Sequence, residues 1–276
     1  MLSLEPPHDL AQVAVDCLIQ EAELTPKPGL VDRRGGGAHD DMSLALMRTS
    51  AQALKPTFEH IARVCFGKKP DVAIRVEIGR IGRDGEAAMY KATGGVNTHK
   101  GAIWTLGLLT AAVAMHSKRV TPHELTETAA RLARIPDVNC PKITTESHGD
   151  KVKRLYQMQG AREEAANGFP HITSRGLLCM RRDRASGLSE QICSVHALLS
   201  IMSNLSDTCV LSRGGLEGLN CMQQGARSVL ELGGLRTVQG QIAFAELDEM
   251  MARRKLSPGG AADLLAGTFF TDQVTR

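Results

Sequence analysis

Apolar residues recur along most of this chain at the three- and four-residue spacing of helices that face a protein core. Between residues 8 and 24 this spacing places Leu10, Val13, Ala14, Cys17 and Leu18 on one helical face. No pair of segments alternates convincingly in the manner of paired strands, so the pattern predicts an all-α fold. The same spacing predicts further helices over residues 100–117, 122–135, 150–167, 186–205, 215–233, 239–254 and 258–270.

Three other segments are less regular. A helix is expected to begin near Asp40 or Asp41, whose carboxylates suit a helix start, and to run toward Pro56, where a kink leads into FEHIARVCF. The segment DVAIRVEIGRIGRDGEAAMYKA has helical periodicity, but its β-branched start leaves helix and strand open. Thr121 and Glu124 have the spacing of a capping box, with a proline at the first helical position between them.

Composition narrows the function classes. The 276 residues carry 33 basic and 30 acidic side chains, a net charge of +3, and few aromatic residues, which argues against a nucleic-acid partner. Seven cysteines without a C-x-x-C pair indicate reduced thiols, and the longest apolar run, residues 102–115, is too short to span a bilayer of about 30 Å. With no repeat, linker or signal peptide evident, we expect a cytoplasmic, single-domain multi-helix bundle over residues 1–276.

The first chemically dense loop is TPKPGLVDRRGGGAHDD, residues 25–41. Its four glycines allow close backbone approach to a ligand, and Lys27 and Arg33 supply positive charge. Asp32, His39 and Asp40 supply groups for proton transfer or metal binding. This mixture suits a polyphosphate with Mg²⁺, although a solvated turn would have a similar composition.

The second is TGGVNTHKGAIWTLGLL, residues 93–109, in which a polar cluster precedes a strongly apolar helix. Asn97 or Thr98 can cap this helix, whose free N–H groups form an anion site. Lys100 adds a full charge, and His99 adds a group able to move a proton near neutral pH. The alternative is a purely structural helix start, and the stretch lacks the glycine–lysine spacing of a phosphate-binding P-loop.

Glycine and charge also coincide in GAREEAANGFP, DTCVLSRGGLEGL and SPGGAADLLAG, and Glu86 lies upstream of the second loop. Taken singly, each segment is explained by helix caps and surface ion pairs. Five such loops at helix ends predict one polar pocket between helices, which forms the active site. The later loops add Arg162, Glu163, Arg213 and Asp263 to the candidate residues, and the same stretches contain Glu164 and Asp207.

In order and spacing, the motifs TPKPGLVDR, GAHDDM, TGGVNTHKGAI, GAREEA with GFP two residues later, and SPGGAADLLA resemble the triphosphoribosyl-dephospho-CoA synthase family over nearly the whole chain. The first loop and the length most resemble the branch associated with malonate decarboxylase rather than citrate lyase. Cys209, Ser212 and Ala261 depart from the Asn, His and Ser expected near those positions, which leaves these three without an expected role.

The resemblance implies an all-α transferase that joins ATP to 3′-dephospho-CoA through a ribosyl bond and releases adenine. The product would be the prosthetic-group precursor for the acyl carrier protein of malonate decarboxylase, passed on to a second transferase. From the charge balance and the short apolar run we expect no nucleic-acid or membrane partner, and a homodimer is compatible with the sequence. The alternatives are a nucleosidase or ADP-ribosyl-type hydrolase and a non-catalytic nucleotide-binding adaptor.

For the transferase, displacement at the ribose C1′ needs stabilisation of an oxocarbenium-like charge and two proton transfers. We expect Glu86 or Asp32 to stabilise C1′ or to act as a base, and His99 or His39 to handle a proton. Candidate Mg²⁺ ligands are Asp40, Glu163 and Asp263. Candidate ATP- and phosphate-binding residues are Lys27, Arg33, Asn97, Thr98, Lys100, Arg162 and Arg213.

Overall fold

Every regular element of residues 7–141 and 154–276, the part of the chain that this computed structural model describes, is helical. The α-helices are α1 (Pro7–Glu23), α2 (Leu44–Ala53), α3 (Lys55–Cys65), α4 (Val72–Ala92), α5 (Lys100–Met115), α6 (Pro122–Arg134), α7 (Ala161–Ala166), α8 (Leu178–Ala185), α9 (Glu190–Met202), α10 (Thr208–Glu231), α11 (Val238–Arg253) and α12 (Gly259–Thr275). A π-helix, His171–Leu177, precedes α8, and a 3₁₀ turn, Gly234–Arg236, precedes α11. The predicted all-α fold is confirmed.

Helix α5 lies at the centre of the core because it is apolar on nearly every face. It packs against α1, α3, α4, α6 and α12. Leu106 and Leu109 are completely buried, and each contributes roughly 1.5–3 kcal/mol through the apolar surface it removes from water. This packing fixes the position of the polar start of α5.

Several predicted helix boundaries are confirmed. The Thr121 hydroxyl accepts from the Glu124 backbone N–H and the Glu124 carboxylate accepts from the Thr121 backbone N–H, so the capping box at the start of α6 is present. The segment with the β-branched start forms α4, capped by Asp71. Residues 150–153 of the predicted helix over 150–167 lie outside the described residues, and the described remainder includes the short helix α7.

Other boundaries are wrong. Helix α2 begins at Leu44 behind the cap Ser43, so Asp40 and Asp41 precede the helix instead of starting it. Pro56 lies in the first turn of a separate helix, α3, and does not kink a continuous one. The helix predicted to begin at residue 186 begins at Glu190, behind the cap Ser189.

Two helical segments meet within α10. The first begins at Thr208, behind the cap Asp207, and was not predicted; the second follows a kink at Gly215, whose φ of 60° and ψ of −161° are non-helical. Only glycine adopts such a conformation at little cost. The helix predicted over residues 215–233 therefore begins at this kink, as expected, and ends at Glu231.

Within the described residues, no helix combines the length and the apolar character needed to cross a membrane.

Candidate active site

Helix starts and loops from four parts of the chain enclose one cavity of about 270 Å³. It lies beside α5, α7, the start of the π-helix and the starts of α10 and α12. Its charged or titratable lining residues are Glu164, His171, Asp207 and Asp263, and Gly160 and Gly260 bring backbone close to it. The predicted convergence of glycine-rich helix ends therefore occurs here for three of the five loops.

Asp207 joins two of these helix starts. Its carboxylate accepts from the Cys209 backbone N–H at 2.8 Å and from the Val210 N–H at 3.2 Å, at the start of α10. It also accepts from the Ala261 N–H at 2.9 Å, in the first turn of α12. Complete burial raises the pKa of Asp207, while these N–H groups act in the opposite direction. Asp207 thus holds α10 and α12 together at the cavity wall.

Asp263 projects from α12 toward the first turn of α5. A methyl group in place of the Gly101 hydrogen would lie 2.0 Å from Asp263 Oδ2, so α5 has room for this carboxyl only because residue 101 is glycine. Burial, followed by the nearby charges of Glu21 and Asp207, raises the pKa of Asp263 well above its usual range. Three acidic groups in one buried region create a negative potential that a bound cation would offset.

Lys27 lies in the core, close to this acidic group. Its ammonium donates to Glu21 Oε1 at 2.5 Å, and the two side chains are only 1% and 5% exposed. Because a buried ion pair loses several kcal/mol when one partner is removed, this lysine is tied to Glu21 and is not presented to solvent. The predicted phosphate contact of Lys27 would require it to leave this pair.

Asp32 closes the first loop on itself. Its carboxylate accepts from the Lys27 backbone N–H at 3.0 Å and from the Arg34 backbone N–H at 2.7 Å. The Arg34 guanidinium adds a contact of 2.9 Å from Nε. These contacts give the carboxylate a loop-ordering role, and its predicted role at C1′ remains a prediction.

His99 is buried at the start of α5, and its Nδ1 lies 2.8 Å from Ser50 Oγ. Burial, with a smaller contribution from the charge of Lys27, lowers the pKa of His99 from 6.5 to about 3. The buried ring is therefore neutral near pH 7, and the predicted proton-transfer role of His99 remains a prediction. Thr98, predicted to contact phosphate or to cap α5, instead lies 2.6 Å from the same Ser50 hydroxyl.

Glu86 and Lys100 form an ion pair on the outside of this helix start. Lys100 Nζ lies 3.0 Å from Glu86 Oε2, and the side chains are 43% and 30% exposed. The Asn97 side chain accepts from the Lys100 backbone N–H at 3.3 Å, but the N-cap residue of α5 is His99, whose side chain does not cap the helix, so neither Asn97 nor Thr98 is the N-cap. These three polar residues, Glu86, Asn97 and Lys100, are accessible to a ligand at the N-terminal end of α5, which we call the mouth of the fold.

His39 and Arg213 meet beside the start of α12. His39 Nε2 lies 2.8 Å from Ser257 Oγ, and Arg213 lies 3.2 Å from His39 Nδ1. Burial, followed by the charge of Arg213, lowers the pKa of His39. Because the Arg213 guanidinium can only donate, it contacts the lone pair of Nδ1, so Nε2–H donates to Ser257 Oγ. The predicted proton-transfer role of His39 remains a prediction.

Four further candidate site residues do not line the cavity. Arg33 pairs with Glu23 at 2.5 Å and is 57% exposed, and Asp40 pairs with Lys255 on the surface. Glu163 accepts from the Gly160 backbone N–H at the start of α7. The positive charge of Arg162 contributes, after burial, to lowering the pKa of Arg75, whose guanidinium stacks on Trp104. Asp40, Glu163 and Asp263 therefore do not form one preformed metal cluster, and no group of three His, Cys, Asp or Glu side chains in the described ranges is arranged to hold a metal ion.

The sequence did not identify the pair formed by Glu164 and His171. His171 Nδ1 lies 2.8 Å from Glu164 Oε2, and the His171 backbone N–H donates to Glu164 Oε1 at 2.9 Å. In the sequence Glu164 is one of two adjacent acidic residues in the charged stretch GAREEA, with no feature that distinguishes it. The available signal was the histidine that directly follows GAREEAANGFP.

The arrangement of helices has a counterpart among solved structures. A crystal structure from Archaeoglobus fulgidus, whose description names a triphosphoribosyl-dephospho-CoA synthase, superposes with a TM-score of 0.53 over 82% of this chain and 97% of that chain. Its sequence is 17% identical, so the likeness concerns the fold. The fold class is therefore that of an all-helical protein with a polar cavity between helix starts.

Sequence relatives define the family. The family described as ATP:dephospho-CoA triphosphoribosyl transferase matches residues 7–276. A protein of Klebsiella pneumoniae named "2-(5''-triphosphoribosyl)-3'-dephosphocoenzyme-A synthase" is 53% identical over 265 residues, 96% of this chain and 94% of its own length. An Azotobacter vinelandii protein named as a probable synthase of the same kind is 51% identical over 96% of this chain and 90% of its own length. The chain belongs to this family and is a transferase.

Proposed function

We propose that this enzyme joins ATP to 3′-dephospho-CoA to give 2′-(5″-triphosphoribosyl)-3′-dephospho-CoA and releases adenine. The observation that carries the proposal is the identity of about half of all residues with named synthases over more than nine-tenths of the chain. The cavity between helix starts supports it, because its wall combines carboxyl groups, an imidazole and free backbone approach at glycines.

The reaction replaces the bond between the ATP ribose C1′ and adenine by a bond to the 2′-hydroxyl oxygen of dephospho-CoA. Positive charge develops at the ribose, and Asp207 and Asp263 would stabilise it in their ionised form, against the burial that raises the pKa of both carboxyl groups. A volume of 270 Å³ suits the reacting sugar and base, while the long phosphate chains extend to the surface near Lys100.

Mg²⁺ would bind with the triphosphate. Because Mg²⁺ usually takes one or two carboxylates plus substrate phosphates, no three-carboxylate cage is required. Asp263, one of the predicted ligands, fits this requirement together with Asp207, since both line the cavity and the metal would displace the proton that burial favours on Asp263. When bound, the metal would neutralise phosphate charge.

The physiological acceptor follows from the resemblance of the first loop. We infer that the product serves the acyl carrier protein of malonate decarboxylase in the cytoplasm, through a second transferase. Growth on malonate of a host that depends on this gene, compared with growth on citrate, separates the two branches.

The reaction is tested by incubating the enzyme with ATP and Mg²⁺, with and without 3′-dephospho-CoA, and following adenine and the adduct by mass spectrometry. We expect adenine and adduct in equal amounts, and only when dephospho-CoA is present. Adenine release at full rate without dephospho-CoA would indicate a hydrolase, and no release under either condition would indicate a binding protein.

A further inference from the structure

Glu164 and His171 form an oriented carboxylate–imidazole pair in the wall of the cavity. Both carboxylate oxygens of Glu164 bind His171, one at the backbone N–H, 2.9 Å, and one at Nδ1, 2.8 Å. A carboxylate on Nδ1 favours the tautomer with hydrogen at Nδ1, which leaves the lone pair at Nε2. Nε2 is buried and has no hydrogen-bond partner among the described residues.

The backbone around this pair is strained. Phe169, which also lines the cavity, has φ of +52° although it is a bulky residue, and the π-helix begins at His171. Left-handed conformations of such residues and π-turns are both costly and are concentrated at functional sites. The strained backbone therefore lies in the segment that places His171 beside Glu164.

A structural role alone does not account for the pair. A buried imidazole nitrogen without a partner costs free energy that a second hydrogen bond would recover. His196 shows the satisfied case, because its Nδ1 contacts Asp183 at 2.6 Å and its Nε2 accepts from the Leu235 N–H at 2.9 Å. The Nε2 atoms of His171 and of the buried His99 both lack a second contact, but of these two histidines only His171 lines the cavity.

We propose that His171 is the proton-transfer group of the reaction and that Glu164 is its positioning residue. The inference rests on the proposed function. His171 Nε2 takes the proton of the 2′-hydroxyl as its oxygen bonds to C1′, the C1′–N9 electron pair leaves with adenine, and the imidazolium returns the proton to adenine. Asp207 and Asp263 are the other titratable acidic side chains that line the cavity.

The test compares His171→Asn with a matched control, His116→Asn. Asparagine keeps an amide donor for Glu164 but has no counterpart of Nε2. His116 is a half-buried histidine that contacts Thr128 at 2.9 Å at the far end of α5. With a general base worth about a hundred- to ten-thousandfold, we expect His171→Asn to lower kcat for adduct formation by at least a hundredfold. ATP affinity should stay within about threefold, and the control within about twofold of wild type.

The pH profile separates chemistry from structure. Protonation removes an imidazole base, so the wild-type kcat should decline toward acid pH. This decline on the acid side of the pH profile, the acid limb, should be absent in His171→Asn. Glu164→Gln, a second variant that retains the imidazole but loses the carboxylate that orients it, should lower kcat for adduct formation and leave ATP affinity nearly unchanged. His171→Asn with more than a tenth of the wild-type kcat and an unchanged acid limb would overturn the proposal. Failure of the wild type to form any adduct would instead refute the proposed function, and the role of His171 with it.

Discussion

Burial separates the reactive side chains of this enzyme into two groups. His99, Lys27 and Asp32 are almost inaccessible and are held by internal contacts, whereas Glu86 and Lys100 are partly exposed at the mouth of the fold. The first group is expected to act on stability and rigidity, and the second on ligand binding. Single substitutions distinguish these two kinds of contribution.

His99 provides a pH-dependent test of the buried group. Its folded pKa of about 3 lies below the ordinary value of 6.5, so between these values the unfolded chain binds the proton more strongly than the folded chain. The neutral ring therefore supports the fold above pH 6.5, and this contribution is lost as pH falls toward 3. We expect the difference in unfolding free energy between wild type and His99→Gln to shrink between pH 7 and pH 4.5, as measured by urea denaturation. A constant difference would contradict a neutral buried His99.

Glu86 tests the exposed group. If its carboxylate stabilises the charge at C1′ or acts as a base, Glu86→Gln should lower kcat by at least a hundredfold and leave ATP affinity nearly unchanged. The matched control is Glu77→Gln on the same helix, since Glu77 is 38% exposed and pairs with Arg80 at 2.6 Å. Steady-state kinetics and ATP titration provide the readout. A loss below tenfold would remove Glu86 from the chemistry and leave it as the partner of Lys100.

At the scale of elements, the site depends on close approach between α5 and α12. Gly101 and Gly82 are both helical glycines, yet a Cβ at Gly101 would lie 2.0 Å from Asp263, whereas at Gly82 the nearest atom is 4.0 Å away. Gly101→Ala should therefore lower stability by about 1–3 kcal/mol through overpacking. Gly82→Ala should be neutral or stabilising by about 0.5–1 kcal/mol, because alanine is the better helix former.

Thermal and urea denaturation of the two variants test this prediction. The α5–α12 contact would not be as close as described if both alanine variants had the same stability. Adduct formation by Gly101→Ala should also be impaired, since Asp263 would be displaced from the cavity wall.

The sequence predicted helices well where the information is local. The capping box of Thr121 and Glu124 depends on residues within one turn. The prediction failed at the start of α2, because Asp40, Asp41 and Ser43 are all suitable caps and composition alone does not choose between them. In α10 the segment after the kink at Gly215 was predicted, whereas the segment that begins at Thr208 was not.

At the scale of the whole molecule, the site combines segments that are far apart in the sequence. Asp207 contacts Ala261 across 54 positions, and Arg213 contacts His39 across 174. Motif density predicted that the loops would converge, but it did not predict which side chains face the cavity. Burial of His99 and the contact between Glu164 and His171 arise from tertiary packing and a left-handed Phe169, which the spacing of residues does not encode.

We propose that the active site is the cavity between the helix starts. A structure of the enzyme with bound 3′-dephospho-CoA and a non-reactive ATP analogue would test this location. We predict the ribose of the analogue in the cavity bordered by His171, Asp207 and Asp263. A nucleotide bound instead in the shallow depression between α1 and α9, whose charged lining residues are Asp16, Glu23 and Glu190, would contradict the claim.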